Sequence, residues 1–377
     1  MSCPYFKKCG GCQLQNMDYP RQLSFKMAKA VSILGNFGHV SPILGADQPL
    51  YYRCKTHVVF GSRGRDVITG YYRAFSHDLL PVSCCPLEHR SASAVVATLR
   101  RLAQELKIPP FNDETMTGYL RHAVIRTGHA TGQLLVTLVT ARAEHPCQKD
   151  LTRELVRCHP EIVSVVRSIN DRYSSQVMGK ELRTLYGPGT IEDRLGGLTF
   201  RISPLSFFQV NPPMAEKIYA EAVTGLNLSG RETLLDAYCG TGTIGMLAAG
   251  SARRVICAEL NAQAVEDARA GAERNGIGNI SFAAADAGKY LLQLAGEGSR
   301  PDAVILDPPR SGCSPLFLEQ LAKAAPPRIA YISCDLKTLA RDLSFLTARG
   351  WRCTRIVPAD MFPQTGHVET VCLLTHS

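Results

Sequence analysis

No stretch of this 377-residue sequence is apolar for long enough to cross a bilayer, and its start lacks the charged-then-apolar pattern of a secretory signal. No membrane-spanning helix is expected, and a cytoplasmic location is the default expectation. A disulfide framework is missing as well. The 14 cysteines are many, but in a large chain without a signal they read as free thiols, metal ligands or catalytic groups. Internal repeats and low-complexity segments are absent. The second half has no charge excess: residues 201–377 hold 17 Lys+Arg against 17 Asp+Glu, whereas residues 1–200 hold 25 against 16. The whole net charge of +9 therefore lies in the first half. A basic half joined to a neutral half suggests that one part grips a polyanion and the other does chemistry. The plain alternative is a solvated basic surface.

The length suits two domains, and the element pattern divides at about residue 200. Residues 1–15 are too rich in Cys and Gly for a helix or strand, and a helix is expected from Tyr19 onward. Over 50–200, "HVVFGS", "DVITGYY", "LRHAVIRTG" and "QLLVTLVT" read as strands. "SASAVVATLRRLAQELK" and "CQKDLTRELVRCH" read as helices. Residues 1–200 are thus expected to be an α+β domain with an antiparallel sheet. Over 201–377, strand and helix alternate through "TLLDAYCG", "RVICAEL", "ISFAAAD", "DAVILDPP" and "IAYISC", and "HVETVCLL" closes the chain. That rhythm predicts an α/β, Rossmann-like, mainly parallel sheet.

In "LLDAYCGTGTIGM" an apolar strand ends in Asp236 and runs through Gly240 and Gly242 into a helix, a loop suited to close approach by a nucleotide-like ligand. Glu259 ends the next strand, at the distance where an acid accepts hydrogen bonds from ribose hydroxyls. Asp286 ends a third. Gly240, Gly242 and Gly245 nearly complete G-x-G-x-x-G, so a dinucleotide oxidoreductase is an alternative. It lacks an identifiable hydride-acceptor site and leaves "DPPRSG" at 307–312 without a role.

Cys334 stands where "RIAYIS" stops and "LKTLARDLSFL" begins, with Asp335 as the expected N-cap. A thiol at a helix N-terminus is expected to have a lowered pKa and to act as a nucleophile; its plain alternative is a small core residue. "DAYCGTG", Glu259 and "LDPPR" resemble the S-adenosylmethionine-dependent methyltransferases. By that resemblance Tyr238, Thr243, Glu259 and Asp286 are assigned to the cofactor. Enzymes of this kind that modify exocyclic amines usually have an aromatic after the double proline, where this chain has Arg310. A carbon acceptor such as uracil C5 instead needs a thiolate to add at C6 and a base to remove the C5 proton.

"SFFQVNP" at 206–212, "DPPRSG", "ISCD" and "DMFPQTGHVETVCLL" together resemble the RNA uridine-5-methyltransferases. The resemblance implies that Cys334 is the nucleophile and Glu369 the base. It places Gln209 at the cofactor or target base, Asp307 beside the reacting ring, and Phe207 and Arg310 at the substrate. Leu336 stands where the family often has Pro. The target base must be unpaired or flipped, and a basic first half suits RNA.

Cys3, Cys9 and Cys12 read C-x5-C-x2-C, and "VSCCPLEH" offers Cys84 or Cys85 as a fourth ligand. Spacing alone leaves zinc and an iron–sulfur cluster open. "CPYFKKCGGCQLQ" resembles the cluster segment of some of these enzymes, which implies a [4Fe–4S] cluster. Its Cys-Pro pattern selects Cys85. The likeness implies 23S ribosomal RNA in preference to the T-loop of transfer RNA, and a monomer is expected. The small β-barrel RNA-binding domain that many members carry at the N-terminus is expected to be absent, because Cys3 stands almost at the start of the sequence. A non-catalytic RNA-binding or assembly protein is the reading from another class; intact Cys334 and Glu369 oppose it.

Overall fold

The computed structural model describes residues 3–171, 176–179 and 181–376. Among them the strands form two seven-stranded sheets and one hairpin. The first sheet runs in the order Leu79–Pro81, Asp66–Tyr72, Lys55–Arg63, Leu120–Thr127, Leu134–Thr140, Ile162–Ile169, Glu181–Tyr186. It is mixed, where an antiparallel sheet was expected. Leu134–Thr140 and Ile162–Ile169 pair in parallel, because the helix Gln148–Cys158 between them carries the chain back to the starting edge. That helix and Arg90–Glu105 cover one face, burying Val95, Leu99, Leu151 and Leu155 against Phe60, Ile125 and Val136.

The second sheet runs Ile280–Ala284, Arg254–Glu259, Thr233–Ala237, Ala303–Leu306, Arg328–Ser333, Glu369–His376, Trp351–Ala359. The first five strands are parallel. Glu369–His376 inserts antiparallel between Arg328–Ser333 and Trp351–Ala359. Runs such as "AVIL" and "IAYI" are apolar throughout because both faces of this sheet are covered. The strand order reverses beside Thr233–Ala237, and ligands of open α/β sheets bind outside the carboxyl ends at such a point.

One helix from the first 200 residues serves the second sheet. Tyr19–Leu34 starts on the Asp18 side chain, which accepts from the Arg21 N–H at 2.9 Å, and it carries Pro20 in its first turn. Its Ala30 and Leu34 join the core of Trp351, Ile356 and Leu374. No helix among the described residues is long and apolar enough to cross a membrane.

Candidate active site

The carboxyl edge of the second sheet gathers the candidate side chains by register. Ser333 lies opposite Thr370 in an antiparallel pair. The next residues outward are Cys334 and Glu369, so two groups far apart in sequence end side by side. Leu306 pairs in parallel with Tyr331, which brings Asp307 to the same edge. Asp236, on the strand beside Ala303–Leu306, completes it.

The surroundings set the charge of each group. Asp335 caps its helix, accepting from Lys337 and Thr338 at 2.9 and 3.0 Å, and the Cys334 thiol precedes it. A helix dipole alone predicts a lowered thiol pKa. The opposite holds: half-burial, then the Glu369 and Asp307 carboxylates, push the Cys334 thiol up, and the Arg310 guanidinium only partly offsets them. Glu369 is 8% exposed. Burial and the facing Asp307 charge raise its carboxyl well above the usual range, with Arg310 opposing. Burial raises Asp307 and pushes Asp236 to about 7.

Gln209 donates to the Tyr219 hydroxyl at 2.8 Å. Tyr219 is buried and held un-ionised by desolvation and by Asp307, Glu369 and Asp236. Sequence reading missed Tyr219, because a tyrosine inside the amphipathic helix Pro212–Gly225 looks like core packing. Phe207 stands out of the surface at 68% exposure. The buried Arg126 donates to the carbonyls of Pro204 and Ser206 and so anchors the loop that presents it. Arg310 is exposed, and its carbonyl accepts from Thr338 at 3.1 Å.

The glycine loop follows Thr233–Ala237. Gly240 and Gly242 have φ of +55° and +72°, a region that favours glycine. The Gly245 N–H donates to Asp236 at 2.7 Å. A methyl group at Gly245 would meet Cys257 Sγ at 2.7 Å, so strand, loop and helix are packed too closely there for any side chain. Glu259 accepts from Gly240 and Asn261 at 3.0 and 2.8 Å, which fixes its carboxylate at the loop rim. Thr243 opens the helix with its hydroxyl 3.4 Å from that of Thr241. Asp286 caps Ala287–Gly296 through Gly288 and Lys289. The Tyr238 side chain is used in packing, 5.2 Å from Phe317, at a backbone φ of +63°. Leu260, 74% exposed directly after Glu259, is an apolar group that sequence reading passed over. Its signal was a leucine at the end of a strand, where nothing remained to bury it.

A separate cavity of about 110 Å³ is lined by Cys3, Cys9, Cys12, Cys84 and Cys85 together with Gln15 and Arg53. Among the described residues no group of three His, Cys, Asp or Glu closes tightly enough for a single metal ion. Three polar atoms around the cavity lack partners: both side-chain polar atoms of Gln15 and the Arg53 Nε are buried without a hydrogen bond. Desolvation pushes the Cys12 thiol to about 11, with Cys9 and Cys3 adding to the rise and Arg53 opposing it, and pushes the Cys85 thiol to about 12, with Glu88 and Cys12 adding to the rise. Cys84 is exposed, whereas Cys85 is partly buried. This donor set fits a group larger than one ion that takes thiolates and accepts N–H bonds.

The chain resembles known proteins along its length. Residues 190–377 match the family model described as tRNA (Uracil-5-)-methyltransferase. A relative from Clostridium acetobutylicum, called an uncharacterized RNA methyltransferase, is 37% identical over 379 residues, 99% of this chain and 82% of the relative. One from Staphylococcus epidermidis with the same description is 39% identical over 377 residues, 98% of this chain and 82% of the relative. Among solved structures, the Pyrococcus abyssi tRNA (uracil-54, C5)-methyltransferase in complex with S-adenosyl-L-homocysteine superposes with a TM-score of 0.81 at 28% identity, covering 97% of this chain and 86% of that one. The oxidoreductase alternative falls with these likenesses, and the chain belongs to the RNA (uracil-5-)-methyltransferase family.

Proposed function

We propose that the protein methylates C5 of a uridine in RNA, with Cys334 as nucleophile and Glu369 as base. The observation that carries this is the register that sets Cys334 beside Glu369 at the sheet's carboxyl edge. The Cys334 thiolate adds to C6, and C5 becomes enolate-like. S-adenosylmethionine, when bound, supplies an electrophilic methyl group for that carbon. Glu369 then takes the C5 proton, and the Cys334–C6 bond breaks to restore the ring. Asp307 and the Gln209–Tyr219 pair border the ring, while Phe207 and Arg310 meet the incoming RNA. Glu259 holds the donor's ribose, Asp286 and the exposed Leu260 flank its adenine, and Thr243 with the left-handed Tyr238 backbone shapes the loop around it.

Residues 1–200 hold the RNA in this reading, in line with their positive charge. Cys3, Cys9, Cys12 and Cys85 hold a [4Fe–4S] cluster, supported by the shared cavity and its unpartnered N–H donors. When bound, the cluster supplies a structural tie between the N-terminus and the first sheet. Ribosomal RNA is the preferred acceptor, on the likeness of the cysteine segment. Transfer RNA is the second reading, because the superposing Pyrococcus enzyme acts on tRNA.

Labelled S-adenosylmethionine and RNA from a strain lacking the gene test the reaction, and mass mapping of the ribosomal and transfer fractions identifies the acceptor. Methyl at uridine C5 is expected. Cys334→Ala should abolish both transfer and covalent trapping of RNA carrying 5-fluorouridine, whose fluorine cannot leave as a proton. Sustained turnover in that variant would remove Cys334 from the reaction.

A further inference from the structure

Residues 360–368 join the strand ending at Ala359 to the strand that Glu369 opens, and Ala359 and Glu369 are themselves paired. The connection is largely buried, so its polar groups need partners. Asn211 and Tyr52 donate to the Met361 and Pro363 carbonyls at 3.0 and 3.1 Å, and a further set of partners comes from the N-terminal helix. Lys26 is ion-paired to Asp360 with both side chains at 0% exposure, and it donates to the Phe362 carbonyl at 3.0 Å. Gln22 and Gln364 make two bonds: the Gln22 Nε2 donates to Gln364 Oε1 at 2.9 Å, and the Gln364 backbone N–H donates to Gln22 Oε1 at 3.0 Å. Gln364 has φ of +70°, a conformation that a non-glycine residue keeps only under external restraint. Lys29 donates to the Gly366 carbonyl at 2.9 Å from the exposed side.

The connection thus stands clamped just before Glu369. Cys334 follows a different strand and precedes a helix capped by Asp335. Tyr19–Leu34 packs against that helix, but the side-chain bonds of Lys26 and Lys29 and those joining Gln22 to Gln364 go to the connection, whereas the Asp335 cap is made with Lys337 and Thr338.

We propose that Gln22, Lys26 and Lys29 position Glu369 for proton removal, without acting on the addition of Cys334. This rests on the reading of Glu369 as the base. A hinge-like looseness in the connection would slow only the last step, because a base displaced by a fraction of an ångström loses its line to the C5 proton.

The test uses the full chain with RNA from the gene-deletion strain, and the same RNA made with 5-fluorouridine or with deuterium at uridine C5. The variants are Gln22→Leu, Lys29→Ala and the double change Lys26→Met with Asp360→Leu, which leaves no unpaired buried charge. The expected result is adduct formation with the fluorinated RNA within about twofold of wild type. Turnover should fall by about tenfold to a hundredfold, the scale of a misplaced catalytic group. A C5 isotope effect larger than in the wild type and a build-up of methylated, covalently bound RNA should accompany it. Equal losses in adduct formation and turnover, or an unchanged isotope effect, would overturn the proposal and leave the clamp a structural support. Lys29→Ala keeps the question open to test if a buried variant does not fold. Glu369→Gln is run alongside: if it releases product like wild type, the base assignment fails, whatever the clamp variants do.

Discussion

Cys334 sits beside two carboxylates that oppose its ionisation. The same crowding raises Glu369, so at neutral pH neither group is in its reactive form for much of the time. A base with a raised pKa is inactive below that pKa and gains activity as the pH passes through it. Product release should therefore keep climbing, by about tenfold per pH unit at its steepest, into the alkaline range, and should not level off near pH 5. Rapid-quench measurements across pH 5.5–9 check this; a flat profile over that range would show that proton removal does not limit release. Glu369→Gln should still bind the methyl donor and add Cys334 to the ring. It should then accumulate methylated RNA on the protein, visible as a denaturant-stable complex. Cys334 was legible as a candidate from its strand-to-helix position. Its raised pKa was not, because the carboxylates responsible arrive from other strands.

At the scale of elements, the first sheet carries a half-buried histidine pair with no role in the chemistry of methyl transfer. His57 and His122 stand on adjacent strands, Lys55–Arg63 and Leu120–Thr127, with ring centroids 5.0 Å apart. His57 Nε2 and His122 Nδ1 are buried without partners. Desolvation and Lys55 lower His57 to about 4; desolvation, His57 and Arg121 lower His122 to about 3. Both rings are neutral in the fold, whereas in the unfolded chain they take up protons below their ordinary pKa. Their contribution is present above pH 6.5 and is lost as the pH falls toward 4. The shift at His57 alone is on the order of 3 kcal/mol. Denaturant unfolding between pH 7 and 4 should show this loss, and His57→Phe should flatten the curve. An unaltered slope in the variant would assign the acid sensitivity elsewhere. Most strands of this sheet were legible from alternation and β-branching. The three-residue edge strand Leu79–Pro81 was too short to show, and two longer strands, Ile162–Ile169 and the edge strand Glu181–Tyr186, were not picked out. Of these two, the first is a buried parallel strand without clean alternation, and the second is polar and exposed.

On the scale of the whole molecule, the N-terminal segment binds distant parts together. The cysteine cavity joins residues 3–12 to the segment around Cys85, and the next residues, Gln13 and Leu14, donate to the Gln364 carbonyl at 3.1 and 3.0 Å. Protein purified without oxygen should be brown and hold about four irons per chain. Cys85→Ser should lose the colour, and Cys84→Ser should keep it, since Cys84 is exposed. Loss of the cluster should lower thermal stability and RNA affinity while leaving S-adenosylmethionine binding nearly unchanged, measured by melting, filter binding and calorimetry. Colourless anaerobic protein with one zinc per chain would refute the cluster and keep the four-cysteine site.

The amino-acid order by itself determined what depends on neighbours in the chain. It set the strand-then-helix rhythm after residue 200, the glycines of the cofactor loop, the caps at Asp335 and Asp286, and the kinds of side chain available for chemistry. Period, turn residues and capping act over a few positions, so they can be read along a line. The tertiary structure alone decided what depends on enclosure and register: Glu369 beside Cys334, Tyr219 under Gln209, Lys26 buried on Asp360, and the histidines forced neutral. Strand pairing joins residues tens to hundreds of positions apart, and desolvation exists only once other elements have closed around a group.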